Sequence, residues 1–199
     1  GPNPARQAAA AAGLPMSVPA VTVNKLCLSG LVAVAMADQM IRSGQHEVVV
    51  AGGMESMTGA PHLLMGARQG YKYGNTVAAD VLDQDALVCA FDAISMGAAT
   101  EKYGKPYGIA REDQDAFAAR SHQRAAASTE SGRLGEEIVP VEVKGRKGSV
   151  TVTQDEGIRA QTTAESLGGL RPAFDPDGAI TAGNASQLSD GAAALVVTS

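Results

Sequence analysis

The chain has 199 residues, of which 45% are hydrophobic and 4% aromatic, and its formal net charge is -5. This negative balance, with the basic residues dispersed, excludes a protein built to bind nucleic-acid phosphates, and no apolar stretch approaches the length of a bilayer span. With two cysteines, Cys27 and Cys89, a disulfide framework is also excluded. We therefore expect an α/β protein of the cytoplasm, with no nucleic-acid partner and no membrane partner.

The first predicted elements are a short helix and an extended segment. Pro4 leads into the alanine-rich run up to Ala12, and Gly13 supplies a stop signal. The run therefore predicts a short amphipathic helix, followed by an extended segment over Val18–Val23.

The next predicted elements are a helix and a strand. Apolar positions cover most faces of Leu28–Ser43, and Gly44 follows, so the pattern predicts a largely buried helix. Glu47–Ala51 is a continuous apolar run bounded by two glycines and predicts a buried strand. Together with the extended segment before the helix, this order predicts a βαβ unit with a right-handed crossover.

The pattern changes after Gly53. Residues 54–180 are richer in glycine and charge, and they separate the first predicted strand from a closing strand at Ala193–Val197. The clearest helix here is Arg111–Ser131, with acidic residues in its first turn and Gly132 beyond its end. Ala110 offers no side-chain cap, so we expect that helix start to fray.

Cys27 is the first candidate for chemistry, because it stands immediately before a predicted helix. Unpaired N–H groups and the positive end of the helix dipole stabilise a thiolate at such a position. Position alone leaves a second interpretation open, in which Cys27 is a buried cysteine that packs as a small hydrophobe.

Several strings settle the question in favour of chemistry. They occur in this order along the chain: VNKLCLSG, VVVAGGMESM, PHLL, MGAATEKYG, REDQDAFAARSHQRA, EEIVPV, LRPAFDPDGAIT and TAGNASQLSDGAAALVV. The set closely resembles the thiolase family of acyl-CoA acetyltransferases and ketoacyl-CoA thiolases, whose closing motif is commonly written TAGNASGxNDGAAA. The resemblance covers essentially the whole chain.

The resemblance implies a fold and a division into domains. It implies an incomplete thiolase-like N-terminal α/β domain with an inserted α+β loop domain. Residues 1–53 would carry the nucleophile, residues 54–180 would form the loop domain that contacts coenzyme A, and residues 181–199 would return to the N-terminal domain.

The resemblance also implies a mechanism. Cys27 would attack an acyl thioester and become acyl-cysteine while coenzyme A leaves, and a carbanion of acetyl-CoA would then attack the acyl group. The substrates are acetyl-CoA and coenzyme A, and no bound cofactor or metal is expected. Alternatives are a 3-ketoacyl-CoA thiolase of fatty-acid degradation and a non-catalytic coenzyme A-binding fragment or subunit.

Binding residues follow from matched positions only. Ser186 matches a serine that hydrogen-bonds the pantetheine arm, and Arg159 matches an arginine that packs on the adenine. The remaining matched positions line the pantetheine and acyl path: Leu87, Met96, Ser166, Leu167, Ala173 and Phe174. Ser95 stands where biosynthetic thiolases commonly have a histidine.

The sequence departs from the family in its acid-base groups. The family's GHPxG-like histidine motif, CxG-like second cysteine and NEAFA-like segment do not occur in these 199 residues. We therefore interpret the chain as an internal portion of a thiolase that is inactive alone. We expect structural roles for His46, His62 and His122, and packing for Cys89.

Thiolases assemble through segments that this chain also has. Val48–Val50 matches a strand that pairs across the dimer axis, and Thr58–Tyr73 matches a loop used in tetramers. An ordinary interior strand is the alternative for the first segment. The complete enzyme is expected to be a homodimer or homotetramer.

Overall fold

The computed structural model describes residues 1–146 and 148–199, and the backbone divides into two compact units. One unit comprises Gly1–Leu82 with Leu188–Ser199, and the other comprises Asp83–Gln187. The elements of the first unit are α1 (Pro4–Ala11), α2 (Ser29–Arg42), β1 (Val48–Ser56), β2 (His62–Leu64), β3 (Ala78–Asp80) and β6 (Asp190–Thr198). Those of the second are α3 (Met96–Gly104), α4 (Arg111–Glu130), β4 (Val141–Gly145), β5 (Gly148–Val152) and α5 (Ala164–Gly168). A π-helical turn spans Leu82–Leu87, and 3-10 turns span Lys105–Tyr107 and Leu134–Glu136.

Helix α1 confirms the first predicted element, and its cap has a clear cause. Asn3 Oδ1 accepts a hydrogen bond from the Arg6 backbone N–H at 3.1 Å, and Pro4 occupies the first helical position. The predicted extended segment that follows forms no strand. Its backbone is tied to α1 instead, because Arg6 Nη2 donates to Val18 O at 2.5 Å and Thr22 Oγ1 donates to Asn3 Oδ1 at 2.7 Å.

Helix α2 forms where it was predicted, but the prediction that it is largely buried is wrong. Ala37 is its only buried residue, and Leu31 is 64% exposed. The helix packs against β1 and β6 within its unit, so one face is covered and the other faces solvent.

Strand β1 is longer than predicted and has a different neighbour. It continues through Gly52 and Gly53, which the sequence analysis took as a boundary, to Ser56. Its partner is β6, in antiparallel register from Val48↔Thr198 to Ser56↔Asp190. The described residues therefore form a two-stranded antiparallel ribbon at this point, and the predicted βαβ unit is wrong.

Close approach explains why β1 tolerates glycine in its interior. A Cβ built on Gly52 would lie 2.6 Å from the backbone oxygen of Ala193 on β6. A side chain at this position would therefore collide with the partner strand.

Helix α4 follows the prediction closely. It ends at Glu130, and Gly132 adopts a left-handed φ of 78° beyond it. Ala110 has the extended backbone of a cap residue and makes no side-chain cap hydrogen bond, as predicted. Ala119 and Ala126 are buried on one side of the helix, which packs against α5.

The remaining strands form local ribbons. β2 pairs with β3, and β4 pairs with β5 from Val141↔Val152 to Gly145↔Gly148, both antiparallel. The predicted division into domains at residues 53 and 180 stays a prediction. The boundaries between the two compact units of the backbone lie after Leu82 and after Gln187.

Candidate functional site

Cys27 lies in a turn that precedes α2, and this turn is unusual at the residue before it. Leu26 adopts a φ of 50°, a left-handed conformation that is uncommon for a residue with a side chain. The Asn24 side chain compensates, since its Oδ1 accepts from the Leu26 backbone N–H at 2.9 Å. The Cys27 residue is exposed. The turn therefore presents the thiol outward.

Ser29 fixes the same turn from the helix side. Its Oγ accepts from the Lys25 N–H at 2.7 Å and donates to Leu26 O at 2.7 Å. Two backbone hydrogen bonds close the turn, from Leu28 N to Lys25 O and from Ser29 N to Leu26 O. The backbone on both sides of Cys27 is thus held by side-chain and main-chain contacts.

The start of α2 also lies against β1. Gly30 Cα is 3.8 Å from the position that a Cβ on Gly53 would occupy, so the helix and strand approach closely where neither residue has a side chain. Leu28, at the helix start, makes no side-chain cap hydrogen bond. The dipole of α2 therefore has its positive end beside Cys27, in the unit formed by Gly1–Leu82 and Leu188–Ser199.

All eight predicted binding residues belong to the other unit. Leu87 and Met96 flank a tight hairpin, in which Val88 bridges Ser95 and the Cys89 N–H donates to Ile94 O at 2.8 Å. Ser95 caps α3, because its Oγ accepts from the Ala98 N–H at 3.2 Å. Ser95, which stands where the thiolases that the sequence resembles commonly have histidine, therefore serves as a helix cap in this chain.

Phe174 and Ala173 lie in a second hairpin. Pro172 bridges Thr181, and the Ala173 N–H donates to Ile180 O at 2.8 Å. The Phe174 ring lies against Gly97, at the start of α3, and leaves no room for a Cβ there. Phe174 and Met96, predicted to line one path, are thus brought to the same start of α3.

The residue after Phe174 carries the charge of this hairpin. Lys105 Nζ lies 3.2 Å from Asp175 Oδ2. The pKa of Asp175 is lowered from its ordinary value, first because the Asp177 backbone N–H donates to it and then because Lys105 is close.

Ser166 and Leu167 lie in the short helix α5, where they have structural contacts. Ser166 forms a reciprocal capping box with Thr163: its Oγ accepts from the Thr163 N–H at 3.0 Å and donates to Thr163 O at 2.8 Å. Leu167 is buried and packs against Gly183. The Ser166 hydroxyl proton is therefore engaged by its own cap, and a contact with substrate stays a prediction.

Ser186 is exposed and follows a turn that sequence reasoning did not explain. Thr181, the first residue of the turn, is fully buried, and its backbone N–H donates to Asn184 Oδ1 at 2.7 Å. Asn184 Nδ2 donates in turn to Asp115 Oδ1 at 2.9 Å, on α4. This contact anchors the turn before Ser186 to the long helix.

Asp115 accepts hydrogen bonds from both Asn184 and Arg111. It is 2% exposed, and Arg111 Nε donates to its other oxygen at 2.7 Å. Arg111 also donates to Leu167 O at 2.7 Å, so one buried ion pair joins α4 to α5 and to the Ser186 turn. The four-residue spacing of Arg111 and Asp115 could have indicated this pair from the sequence, but the acidic residues here were interpreted only as charges near the helix start.

Arg159 is exposed, and its backbone is held from α4. The Arg159 N–H donates to His122 Nδ1 at 3.2 Å, and Arg159 O accepts from the Thr162 N–H at 3.1 Å. Gln187 Nε2 donates to Gly157 O at 3.1 Å, two residues before Arg159. Sequence reasoning missed both His122 and Gln187 as contacts of this loop.

The described residues contain neither a metal-binding cluster nor a helix that could span a membrane. Over residues 1–146 and 148–199, no group of three or more histidine, cysteine or carboxylate side chains is placed to hold a metal ion. In the same part of the chain, none of the helices has the length and apolar character needed to cross a membrane.

Comparison with known protein families identifies the family of this chain. The family model described as thiolase, N-terminal domain, matches residues 1–199. The chain belongs to the thiolase family. This confirms the resemblance on which the sequence analysis relied.

Relatives of this thiolase chain carry consistent names. It is 57% identical over 198 residues to a probable acetyl-CoA acetyltransferase of Mycobacterium leprae and 52% identical to the acetyl-CoA acetyltransferase of Escherichia coli. Both alignments cover 99% of this chain and 50% of the relative. The thiolase chain therefore spans about half the length of the curated relatives that it matches.

A solved structure supports the fold. The acetyl-CoA acetyltransferase of Syntrophomonas wolfei superposes with a TM-score of 0.92 at 37% identity, over 100% of this chain and 50% of that structure. The thiolase-like fold of the prediction is thereby confirmed, while the separate inserted loop domain stays a prediction.

Proposed function

We propose that this chain supplies the nucleophile and the coenzyme A-binding segments of an acetyl-CoA C-acetyltransferase. The single observation that carries the proposal is the exposed Cys27 thiol in a hydrogen-bonded turn at the start of α2. This position leaves the thiol accessible and places it beside the positive end of the α2 dipole. Membership of the thiolase family and the names of the relatives give the substrate class, acyl thioesters of coenzyme A.

The chemistry proceeds by two acyl transfers. The Cys27 thiolate attacks the thioester carbonyl, the bond to the coenzyme A sulfur breaks, and the acyl group remains on Cys27 as a thioester. A base then takes a proton from the methyl group of a second acetyl-CoA, and the resulting carbanion attacks the carbonyl of the acyl-cysteine. The bond to the Cys27 sulfur breaks, so that the Cys27 thiolate is released with acetoacetyl-CoA as product. The reverse sequence is thiolysis. One thioester replaces another in the first step, so that step needs no external energy source.

The binding residues divide by the part of coenzyme A that they would touch. Arg159 is exposed and planar at its end, as stacking on adenine requires. Ser186 is exposed at the end of a buried, anchored turn and suits a hydrogen bond to the pantetheine arm. The remaining positions would line the pantetheine and acyl path: Leu87, Met96, Ser166, Leu167, Ala173 and Phe174.

Assembly and location belong to the same proposal. The complete enzyme would be a homodimer or homotetramer of the cytoplasm, active in lipid metabolism. Exposed Val48 and Val50 on β1 are consistent with a strand that meets another subunit.

Trapping the acyl-enzyme tests the proposal. The complete protein encoded by the reading frame that carries this chain is incubated with acetoacetyl-CoA, quenched in acid and mapped by mass spectrometry. We expect an acetyl group on the Cys27 peptide, retained in Cys89→Ala and lost in Cys27→Ala. Coenzyme A binding without acetylation of Cys27 would overturn the proposal and favour the non-catalytic alternative.

A further inference from the structure

Gln187 is a departure from the family motif with a specific contact. The motif TAGNASGxNDGAAA has glycine at this place, immediately after the serine that corresponds to Ser186. Here the Gln187 side chain reaches back 30 residues, and its Nε2 donates to Gly157 O at 3.1 Å. The contact lies within the unit Asp83–Gln187 and joins the segment of Ser186 to the segment of Arg159.

Gly157 is shaped for this contact. A Cβ built on Gly157 would lie 2.6 Å from Gln187 Oε1 and 2.8 Å from Nε2, so the end of the exposed Gln187 side chain would have to move away from its observed position. The long side chain at 187 therefore fits because position 157 has none. The family motif has its glycine at position 187. In this chain position 187 is glutamine, and the residue that it contacts, Gly157, is the glycine.

The Arg159 segment is held on a second side by α4. His122 Nδ1 accepts from the Arg159 N–H at 3.2 Å, and Gln123 Nε2 donates to Thr162 O at 3.3 Å. Without Gln187, helix α4 would still hold Arg159 and Thr162, but the Gly157 end of the segment would lose its side-chain tie. Helix α4 also holds the turn before Ser186 through Asp115 and Asn184. Gln187 adds the direct tie between the Gly157 end of the segment and the residue after Ser186.

We propose that Gln187 is a positioning residue that sets the distance between Arg159 and Ser186, so that the nucleotide and the pantetheine arm of coenzyme A are recognised together. The inference rests on the proposed function, because it takes Arg159 and Ser186 as the two contacts. Gln187 would favour binding of whole coenzyme A over thiols that lack the nucleotide. The family motif has glycine at this position and so does not contain this determinant.

Binding of coenzyme A and of pantetheine, which lacks the nucleotide, tests the inference by calorimetry on the complete protein. Gln187→Met keeps the volume and removes the donor without adding charge. We expect it to weaken coenzyme A binding roughly 3- to 10-fold, as loss of one hydrogen bond allows, and to leave pantetheine binding unchanged. Gln45→Met, an exposed glutamine of the other unit, is the matched control and should change neither.

Two further variants separate positioning from general destabilisation. Gly157→Ala should weaken coenzyme A binding by crowding Gln187, and Gly157→Ala with Gln187→Gly should recover part of the loss. In the background of Arg159→Ala, Gln187→Met should have little further effect, because the positioned group is gone.

The outcomes are distinguishable from failure of the proposed function. Equal weakening of coenzyme A and pantetheine, or full additivity with Arg159→Ala, would overturn the role of Gln187 while leaving Cys27 chemistry untouched. A second result would be that Cys27 is not acetylated, while Gln187→Met still weakens coenzyme A binding and leaves pantetheine binding unchanged. That result would overturn only the assignment of Cys27 as the nucleophile. Absence of any coenzyme A binding by the unmutated protein would overturn both.

Discussion

The two thiols of the chain differ in surroundings. Cys27 is exposed in front of α2, whereas Cys89 is half-buried in a hairpin whose backbone it closes with Ile94 and Ala93. Accessibility and a helix start both favour attack by the first thiol. The difference between the two cysteines is therefore one of local backbone placement as well as burial.

We predict that iodoacetamide alkylates Cys27 several-fold faster than Cys89, and that acetyl-CoA slows the reaction at Cys27 only. Peptide mapping by mass spectrometry over a time course gives both rates in one sample. Denatured protein is the control, since both thiols should then react alike. Equal rates in the folded protein would count against the nucleophile.

At the scale of elements, α4 carries the contacts that organise its unit while starting from a poor cap. Asp115, His122 and Gln123 all project from it to other segments. Ala110 has the extended backbone of a cap residue, φ -68° and ψ 154°, but supplies no acceptor for the first N–H groups. The backbone is therefore ready for a cap that the side chain lacks.

Ala110→Ser should stabilise the protein by about 0.5–2 kcal/mol, because serine at this position accepts a hydrogen bond from the first turn. Urea denaturation followed by circular dichroism measures the change. Ala116→Ser, an exposed position inside α4, is the matched control and should be slightly destabilising. An equal effect of both substitutions would show that capping is not the cause.

The end of the β1–β6 ribbon depends on one carboxylate. Asp190 accepts from the Thr58 N–H at 2.9 Å, from the Thr58 hydroxyl and from Ser56 Oγ. The Thr58 side chain first, and its backbone second, lower the pKa of Asp190 from its ordinary value of 3.8. A carboxylate with a lowered pKa stabilises the folded state above its ordinary pKa and loses that contribution as pH falls through the folded value.

Asp190→Asn should therefore destabilise the protein at neutral pH, and the difference from the unmutated protein should shrink as pH falls below 3.8. Urea midpoints between neutral pH and the acid transition measure it. Asp155→Asn is the control, because Asp155 is exposed and makes no side-chain hydrogen bond with the residues that the structure describes. A difference independent of pH would contradict the assignment.

At the scale of the whole molecule, these 199 residues lack acid-base groups that the proposed reaction requires. The histidine and second-cysteine motifs of the family do not occur in these 199 residues. Carbanion formation needs a positioned base, and loss of a single oxyanion donor typically costs about 10²–10³ in rate. Under the proposed function, acylation of Cys27 and complete turnover would therefore be separable in this chain.

We predict that the 199-residue chain alone does not convert acetoacetyl-CoA and coenzyme A to acetyl-CoA, as followed by loss of absorbance of the substrate enolate. Supplying the C-terminal half of a related thiolase should restore thiolysis that disappears in Cys27→Ala. Robust turnover by the chain alone would contradict the prediction and would make His122, His62 or Cys89 the base.

Elements whose determining contacts are local could be predicted from the sequence. Helices α1 and α4 follow from Pro4, Gly132 and apolar spacing, which act within a turn or two of the chain. Prediction failed where distant residues decide. Strand β1 continues through Gly52 because residues 190–198 pair with it, and Val18 bonds to a helix instead of forming a strand.

The site divides in the same way. Cys27 could be proposed as the nucleophile because its motif and its helix start are contiguous in sequence. The Asp115–Asn184 contact spans 69 positions and the Gln187–Gly157 contact spans 30, and neither leaves a periodic signal. Residue-by-residue transfer from a family can propose groups that would touch substrate, but it does not identify the residues that hold those groups in place.

The register of β1 with β6 also constrains the order of folding. The contact between Ser56 and Asp190 closes a loop of 134 positions, whereas the ribbon β4–β5 and helix α4 need only neighbours along the chain. Contacts of large sequence separation form slowly, because the entropy of loop closure must be overcome before any contact rewards it. We expect residues 83–187 to acquire structure first and β6 to zip onto β1 late. Helix α2, which follows the Cys27 turn, therefore gains its supporting strands only near the end of folding.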